Sequence, residues 1–282
     1  MLEQTLYLLN VEFVQTALIA AALLGIVSGV MAPLIVLRQM SFSVHGTSEL
    51  ALMGAAAALL LGLNVGVGAI VGSVVAAIVL ALLGMNQQDS AVGVVMSFGM
   101  GLSVLFIHLY PGKSSTAFSL LTGQIVGVSG NSLWLLAAVV AFVVIAVALL
   151  WRPLLFASAD PIIAAAAGIK VRWIAVLFAV LVGLTAAQSV QIVGALLVMA
   201  LLITPGAAAV QITSNPVSAV LWSLLFAEVS AVGGLVLSLA PGLPVSVFVT
   251  SISFLIYLIC RVIGWRKGKV VQVREAEACC AH

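Results

Sequence analysis

His45 and Glu49 stand four residues apart in the stretch Ser41-Phe42-Ser43-Val44-His45-Gly46-Thr47-Ser48-Glu49. On a helix that spacing puts both side chains on one face, one turn apart. A neutral imidazole offers a nitrogen lone pair and the carboxylate offers charge. Side by side they form part of a site for a borderline divalent ion such as Zn²⁺, Mn²⁺ or Fe²⁺. Two ligands bind an ion weakly, which suits a protein that must release what it holds. The same pair could instead bond to each other and hold two helices together, and the spacing alone leaves both readings open.

Few other residues could do chemistry. Glu228 falls in the middle of an apolar stretch with Ser223 and Ser230 nearby; it could line a pathway or lock a subunit contact. His108 lies close to the end of another such stretch and reads as an interfacial histidine. Gln188, Ser189 and Gln191 suggest an interrupted helix around Gln188–Gly194, and unwound backbone within a membrane is tolerated only where it is buried in protein or lines a cavity, which makes them pathway candidates. Cys279, Cys280 and His282 could hold a soft metal, but the ligand set is short and chain ends fray. Cys260 reads as a small apolar residue.

The surroundings of these groups are what give them meaning. The chain has 282 residues, 64% hydrophobic, with only 10 Lys+Arg and 8 Asp+Glu. Soluble domains carry about 25% charged residues, so a water-soluble globule of this size could not cover its surface. Disordered chains are polar and highly charged, which excludes disorder. A net charge of +2 provides no broad basic surface for nucleic acid. The apolar runs are continuous rather than alternating, so they read as helices that span a hydrocarbon core and not as barrel strands. The expected fold is an all-α polytopic transmembrane bundle of eight or nine spans.

Nine candidate spans cover residues 13–37, 47–63, 64–84, 90–110, 132–151, 173–191, 193–212, 216–240 and 244–263. Residues 118–128 are apolar enough for a short interfacial helix. With the Arg38 loop placed inside and the spans alternating, Arg38, Arg152, Lys170, Arg172, Arg261, Arg266, Lys267, Lys269 and Arg274 fall on the cytoplasmic side. Only Lys113 falls outside, and the C-terminus is cytoplasmic. The expected division is a transmembrane domain over residues 1–264 and a short cytoplasmic tail over 265–282. No cleavable signal peptide is evident at the first residues. Gly25/Gly29, Gly68/Gly72 and Gly123/Gly127 have the small-xxx-small spacing that lets helices approach closely.

One cytoplasmic loop, residues 158–170, encodes a self-contained helix. Asp160 is a good N-cap, Pro161 suits the first helical position and Gly168 suits the C-terminal stop. It is either a simple connector or a docking helix for a cytoplasmic partner. No Gly-rich phosphate loop followed by Lys-Ser or Lys-Thr is present, so any ATP would be hydrolysed by another chain.

Over about residues 13–263 the sequence resembles the membrane permeases of the zinc/manganese/iron ABC importer family. Val36-Leu37-Arg38-Gln39-Met40-Ser41-Phe42 is similar to the family's basic turn entering the second helix. Asp89-Ser90-Ala91-Val92-Gly93-Val94-Val95-Met96-Ser97 resembles its acidic-Thr-Ala-hydrophobic-Gly segment, and Leu121-Thr122-Gly123-Gln124-Ile125-Val126-Gly127-Val128 its outer block. Residues 160–168 resemble its coupling loop. Val193-Gly194-Ala195-Leu196-Leu197 and Ile203-Thr204-Pro205-Gly206-Ala207-Ala208 resemble a further pair of blocks. The order and spacing of these blocks carry the likeness more than any one of them.

The resemblance implies a type II-like ABC importer permease in the bacterial plasma (inner) membrane, embedded in lipid. It would work as a homodimer with a cytoplasmic ABC ATPase subunit and receive a transition-metal ion from an extracytoplasmic metal-binding protein. No permanently bound cofactor is implied; the ion is cargo. The family commonly has Asp then His, four residues apart, where this chain has His45 then Glu49, so the ligand types are kept in inverted order. Met53 stands where the family usually has Pro. The metal candidates are therefore His45 and Glu49, with Glu228 as a further one, and Asp160, Pro161 and Gly168 are expected to serve ATPase coupling. The rival readings are an ABC permease for a metal chelate or vitamin, an ion-coupled secondary carrier, and a membrane scaffold.

Overall fold

A computed structural model describes residues 11–83, 88–112, 130–239 and 244–280. The described residues fold entirely into helices and the turns between them. They are α1 (Glu12–Leu37), α2 (Ser41–Leu60), α3 (Val65–Leu83), α4 (Gln88–Leu109), α5 (Gly130–Leu149) and α6 (Trp151–Ala159). There follow α7 (Pro161–Ala166), α8 (Val171–Val193), α9 (Ala195–Leu202), α10 (Thr204–Ile212), α11 (Pro216–Leu239) and α12 (Val245–Cys280). Helix is what apolar surroundings demand, since no water is there to satisfy an open backbone.

Among the described residues, each of the nine apolar segments expected to span is mostly helical. Among them, six helices are long and apolar enough to cross a membrane: α1, α8, α11 and the apolar parts of α4, α5 and α12. α2 is outside that group because its first turns carry Ser41, Ser43, His45, Thr47, Ser48 and Glu49. Residues 65–80 of α3 and 197–212 are shorter apolar helices.

Helix packing divides the bundle into two groups. α2, α3, α4 and α8 pack together, and α1, α10, α11 and α12 form the other group. α8 and α9 touch both, and α5 leans on α1 and α8. The most enclosed spans are α1 and α8, whereas α4, α5 and α12 keep most of their apolar surface outward, as lipid-facing helices do. Val67, Val71 and Val75, four residues apart, make one such outward stripe on α3.

Glycines set the closest approaches. A Cβ at Gly72 would lie 2.5 Å from the Leu50 carbonyl oxygen and 2.9 Å from Gly54 Cα, so α2 and α3 meet backbone to backbone. Gly29 does the same for α1 against the Leu224 backbone of α11, and Gly25 makes room for the Glu228 side chain. Both of these expected small-residue pairs are packing seams; Gly123 and Gly127 lie outside the described residues, as does the segment 118–128.

Four boundaries differ from expectation. The polar cluster at Gln188, Ser189 and Gln191 does not interrupt its helix: α8 runs through to Val193, and the break falls at Gly194, whose φ of 86° only glycine adopts readily. A second break at Ile203–Thr204, just before Pro205, splits the next span into α9 and α10. Asp89, expected in a loop, belongs to the first turn of α4. The last helix also continues past Ile263 to Cys280. Its 36 residues span about 54 Å, more than the ~30 Å of a hydrocarbon core, so its end stands outside the bilayer.

One end of the bundle collects the turn at Arg38, the 150–170 segment, the start of α11 and Gly264. Leu37, Ile169 and Pro216 line one groove there, and Gly264 packs on the backbone of Gln211 just before α11. The basic residues assigned to a common side by the charge rule thus belong to neighbouring chain segments.

Candidate functional site

α2 starts at Ser41, so both His45 and Glu49 are helical and the expected one-turn spacing is realised. They sit about 6 and 12 Å along the axis from the helix start, at the Arg38 end of the bundle. The neighbouring hydroxyls are turned inward on their own helix. Thr47 Oγ1 donates to the carbonyls of Ser43 and Val44 at 3.1 and 2.9 Å, and Ser48 Oγ donates to the His45 carbonyl at 2.8 Å. Such back-bonding satisfies each hydroxyl within the turn, so neither is engaged with the imidazole or the carboxylate.

The ligand atoms themselves are left open. His45 Nδ1 is buried and has no hydrogen-bond partner. Glu49 is only 9% exposed and lies one helical turn further along α2. A buried polar atom left unpaired costs about 1–3 kcal/mol. The pair is therefore not a self-satisfied lock between helices; its nitrogen waits for a partner. Gly46, between the two, packs against apolar neighbours, since a Cβ there would lie 2.9 Å from Val92 Cγ1 of α4 and 3.5 Å from Leu80 Cδ1 of α3.

α8 crosses both α2 and α3 and brings further unsatisfied groups. Gln188 is 1% exposed with Oε1 and Nε2 both unpartnered, and Ser189 Oγ is likewise buried and unpartnered. The Gln191 amide lies beside Gly66, where a Cβ would come within 2.8 Å of Oε1.

Glu228 belongs to a different seam. Its Oε1 is buried without a partner, and it faces Gly25 of α1, where a Cβ would lie 2.7 Å away. Ser223 and Ser230, on the same helix, also have buried, unpartnered hydroxyls. α11 packs on α1, α10 and α12, whereas α2 packs on α3, α4, α8 and α9. The structure joins His45 to Glu49 and leaves Glu228 apart. His108 is exposed in the last turn of α4. Among the described residues no group of three or more His, Cys, Asp or Glu side chains could hold a metal. Cys260 is buried and free; the side chains of Cys279 and Cys280, and all of His282, lie outside the described residues.

The 158–170 segment forms the capped helix its residues encode. Asp160 closes α6 and caps α7, its Oδ1 accepting from the backbone N–H groups of Ile162 and Ile163 at 2.9 and 3.0 Å. Pro161 occupies the first turn. Gly168 takes φ 84° and ends the helix in a Schellman turn, with Gly168 N–H bonded to Ala165 and Ile169 N–H bonded to Ala164. Of α7 only Ala164 is buried; Ile162 is 82% and Ile163 56% exposed. Two adjacent isoleucines facing outward on a one-and-a-half-turn helix form an apolar contact surface.

The sequence marks Arg38 as a topological marker and as part of the family's basic turn, but does not foretell its contacts. Its Nε donates to Ser158 Oγ at 2.6 Å and its Nη2 to the Leu154 carbonyl at 3.3 Å, and its guanidinium lies 4.3 Å from the Phe178 ring centroid. Burial pushes its guanidinium down to about 10, so it stays a cation at neutral pH. Those partners lie 116 and 120 residues away, beyond the reach of local pattern; the only signal was a charged residue in a very short turn.

A sequence profile of the ABC 3 transport family matches residues 10–264. The manganese transport system membrane protein MntC of Halalkalibacterium halodurans is 32% identical, over 82% of this chain and 80% of the relative. The high-affinity zinc uptake system membrane protein ZnuB of Haemophilus influenzae is 27% identical, over 80% of this chain and 88% of its own. Among solved structures, PsaBC from Streptococcus pneumoniae in complex with Fab has a chain that superimposes with a TM-score of 0.84 at 29% identity, covering 92% of this chain and 95% of that one.

Proposed function

The chain belongs to the ABC 3 transport family, and from that premise we propose that it is the permease of an ATP-driven importer of divalent transition-metal ions. Relatives named for manganese and for zinc support that cargo class. The observation that carries the reading is the buried, unpartnered Nδ1 of His45 one helical turn from Glu49.

A passing cation supplies what this pair lacks: it takes the imidazole lone pair and neutralises a carboxylate that would otherwise sit exposed to a low dielectric. Two ligands hold it briefly. Two copies of the chain related by a two-fold axis would present two His and two Glu, a set suited to tetrahedral zinc or to a more oxygen-rich manganese shell. The ion arrives from an extracytoplasmic binding protein and leaves at the Arg38 end, which is cytoplasmic, as is the C-terminus.

Hydrolysis of ATP belongs to a separate cytoplasmic subunit. Its contact point is α7, where Ile162 and Ile163 enter a groove of the ATPase and the Asp160 and Gly168 caps keep the helix rigid. Closure of the ATPase pair moves α7 and shifts the population between inward-open and outward-open states. Metal uptake into cells tests the ion site. The His45→Ala, Glu49→Ala double variant, expressed at the normal level, is expected to lose at least about tenfold in uptake, the scale on which removing groups that meet a metal acts; wild-type uptake would refute the assignment.

A further inference from the structure

Arg38 lies where three pieces of the machine meet. It follows α1 directly, and the turn to α2 is only Arg38, Gln39 and Met40. That turn is closed by Gln39 N–H to Val36 at 3.0 Å and Met40 N–H to Ile35 at 3.1 Å, with Gln39 at φ 54°. A turn so tied transmits any shift of Arg38 to the first turns of α2, and His45 is seven residues on.

The far end of its side chain is attached elsewhere. Leu154 and Ser158, its two acceptors, are on α6, the helix that ends at Asp160 and so leads into α7. Phe178, wholly buried beneath the guanidinium, is on α8, which leaves α7 on the other side. Of α6 itself only Leu154 and Ala157 are buried, and a groove of about 740 Å³, lined by residues including Leu37, Trp151, Phe156, Ile169 and Pro216, runs along its flank. Arg38 thus ties α6 to the turn that begins the helix of His45 and Glu49.

We propose that Arg38 is the positioning residue that couples the two halves of the transport cycle, carrying movement of the α6–α7 unit to His45 and Glu49 through its guanidinium. This rests on the importer reading above. The geometry calls for a planar fork, with Nε and Nη2 bonded in fixed directions while the flat face stacks on an aromatic ring. A lysine ammonium keeps the charge and reproduces none of that. A residue serving only as a positive topological anchor would tolerate the exchange.

The test uses the whole complex, permease with its ATPase and binding protein, in proteoliposomes, reading Mn²⁺ and Zn²⁺ uptake and ATP hydrolysis in the same vesicles. Wild-type vesicles that move neither ion would end the importer reading and this proposal with it, whereas the variants test Arg38 alone once the wild type transports. Arg38→Lys and Arg38→Met are expected to keep hydrolysing ATP while the ratio of ions moved to ATP consumed falls about fivefold or more, the lower range of energetic coupling between sites. A wild-type ratio in Arg38→Lys, or uptake and hydrolysis falling together in proportion, overturns the proposal. Should Arg38→Met fail to assemble, Ser158→Ala removes one acceptor only; its ratio should fall about twofold to fivefold, and an unchanged ratio counts against the link.

Discussion

A histidine in an apolar helix normally settles its ring nitrogens on a carbonyl or a neighbouring carboxylate. His45 does not, and Glu49 beside it is nearly buried. The identity and spacing of the pair were legible because a helix brings positions four apart onto one face. That Nδ1 stays unbonded was not, since it depends on where Thr47 and Ser48 send their hydroxyls. Glu228 is the instructive contrast. It is as anomalous in the sequence as Glu49, yet its place against Gly25 puts it in the seam between α1 and α11. Glu228→Gln preserves that shape, and we expect it to retain metal uptake to within about twofold, as a distant site with no shared partner should. A loss as large as that of the His45 and Glu49 variants, measured at equal expression, would put Glu228 on the ion's route.

Elements obey the same local rules with different success. The α7 helix was readable almost to the residue because both of its stops are chemical: an aspartate whose carboxylate caps it and a glycine at φ 84° that ends it. Asp160→Ala should therefore cost about 1 kcal/mol of local helix stability and weaken retention of the ATPase during purification, while Asp160→Asn, an equally good cap, should not. If the two variants lose the ATPase equally, the charge and not the cap is what matters. The break expected around Gln188–Gly194 falls at the glycine for a related reason. Gln188 and Ser189 looked like interruptions because of their polarity, but a helix satisfies its own backbone whatever its side chains carry, and only Gly194 changes the dihedral angles. Close approach between helices is equally unforgiving. Gly54→Leu would force a side chain into the Gly68 and Gly72 backbone, and we expect it to abolish the folded permease, seen as loss of a monodisperse peak in detergent; normal yield would show that α2 and α3 can part.

For the whole molecule, composition decided the environment: so few charges on an apolar chain leave only the bilayer as solvent. What composition could not reveal is the division into two packed groups with α8 and α9 between them, because every apolar helix face looks alike when lipid is as apolar as a neighbouring helix. That division places α2 in one group and α1 with α11 in the other, and Arg38 in the turn that connects them. The site as proposed draws on two copies of the chain. Native mass spectrometry of the purified complex should find two copies of this chain, and a single copy that still transports would require another source of ligands.

The central claim is that a metal ion binds His45 and Glu49 directly. X-ray absorption at the zinc edge reads this without reference to transport, using the purified complex loaded with Zn²⁺. The expected result is imidazole scattering in the zinc shell of the wild-type complex that disappears in the His45→Ala variant, with oxygen scattering reduced in Glu49→Ala. A zinc spectrum identical in the wild-type and variant complexes would contradict it.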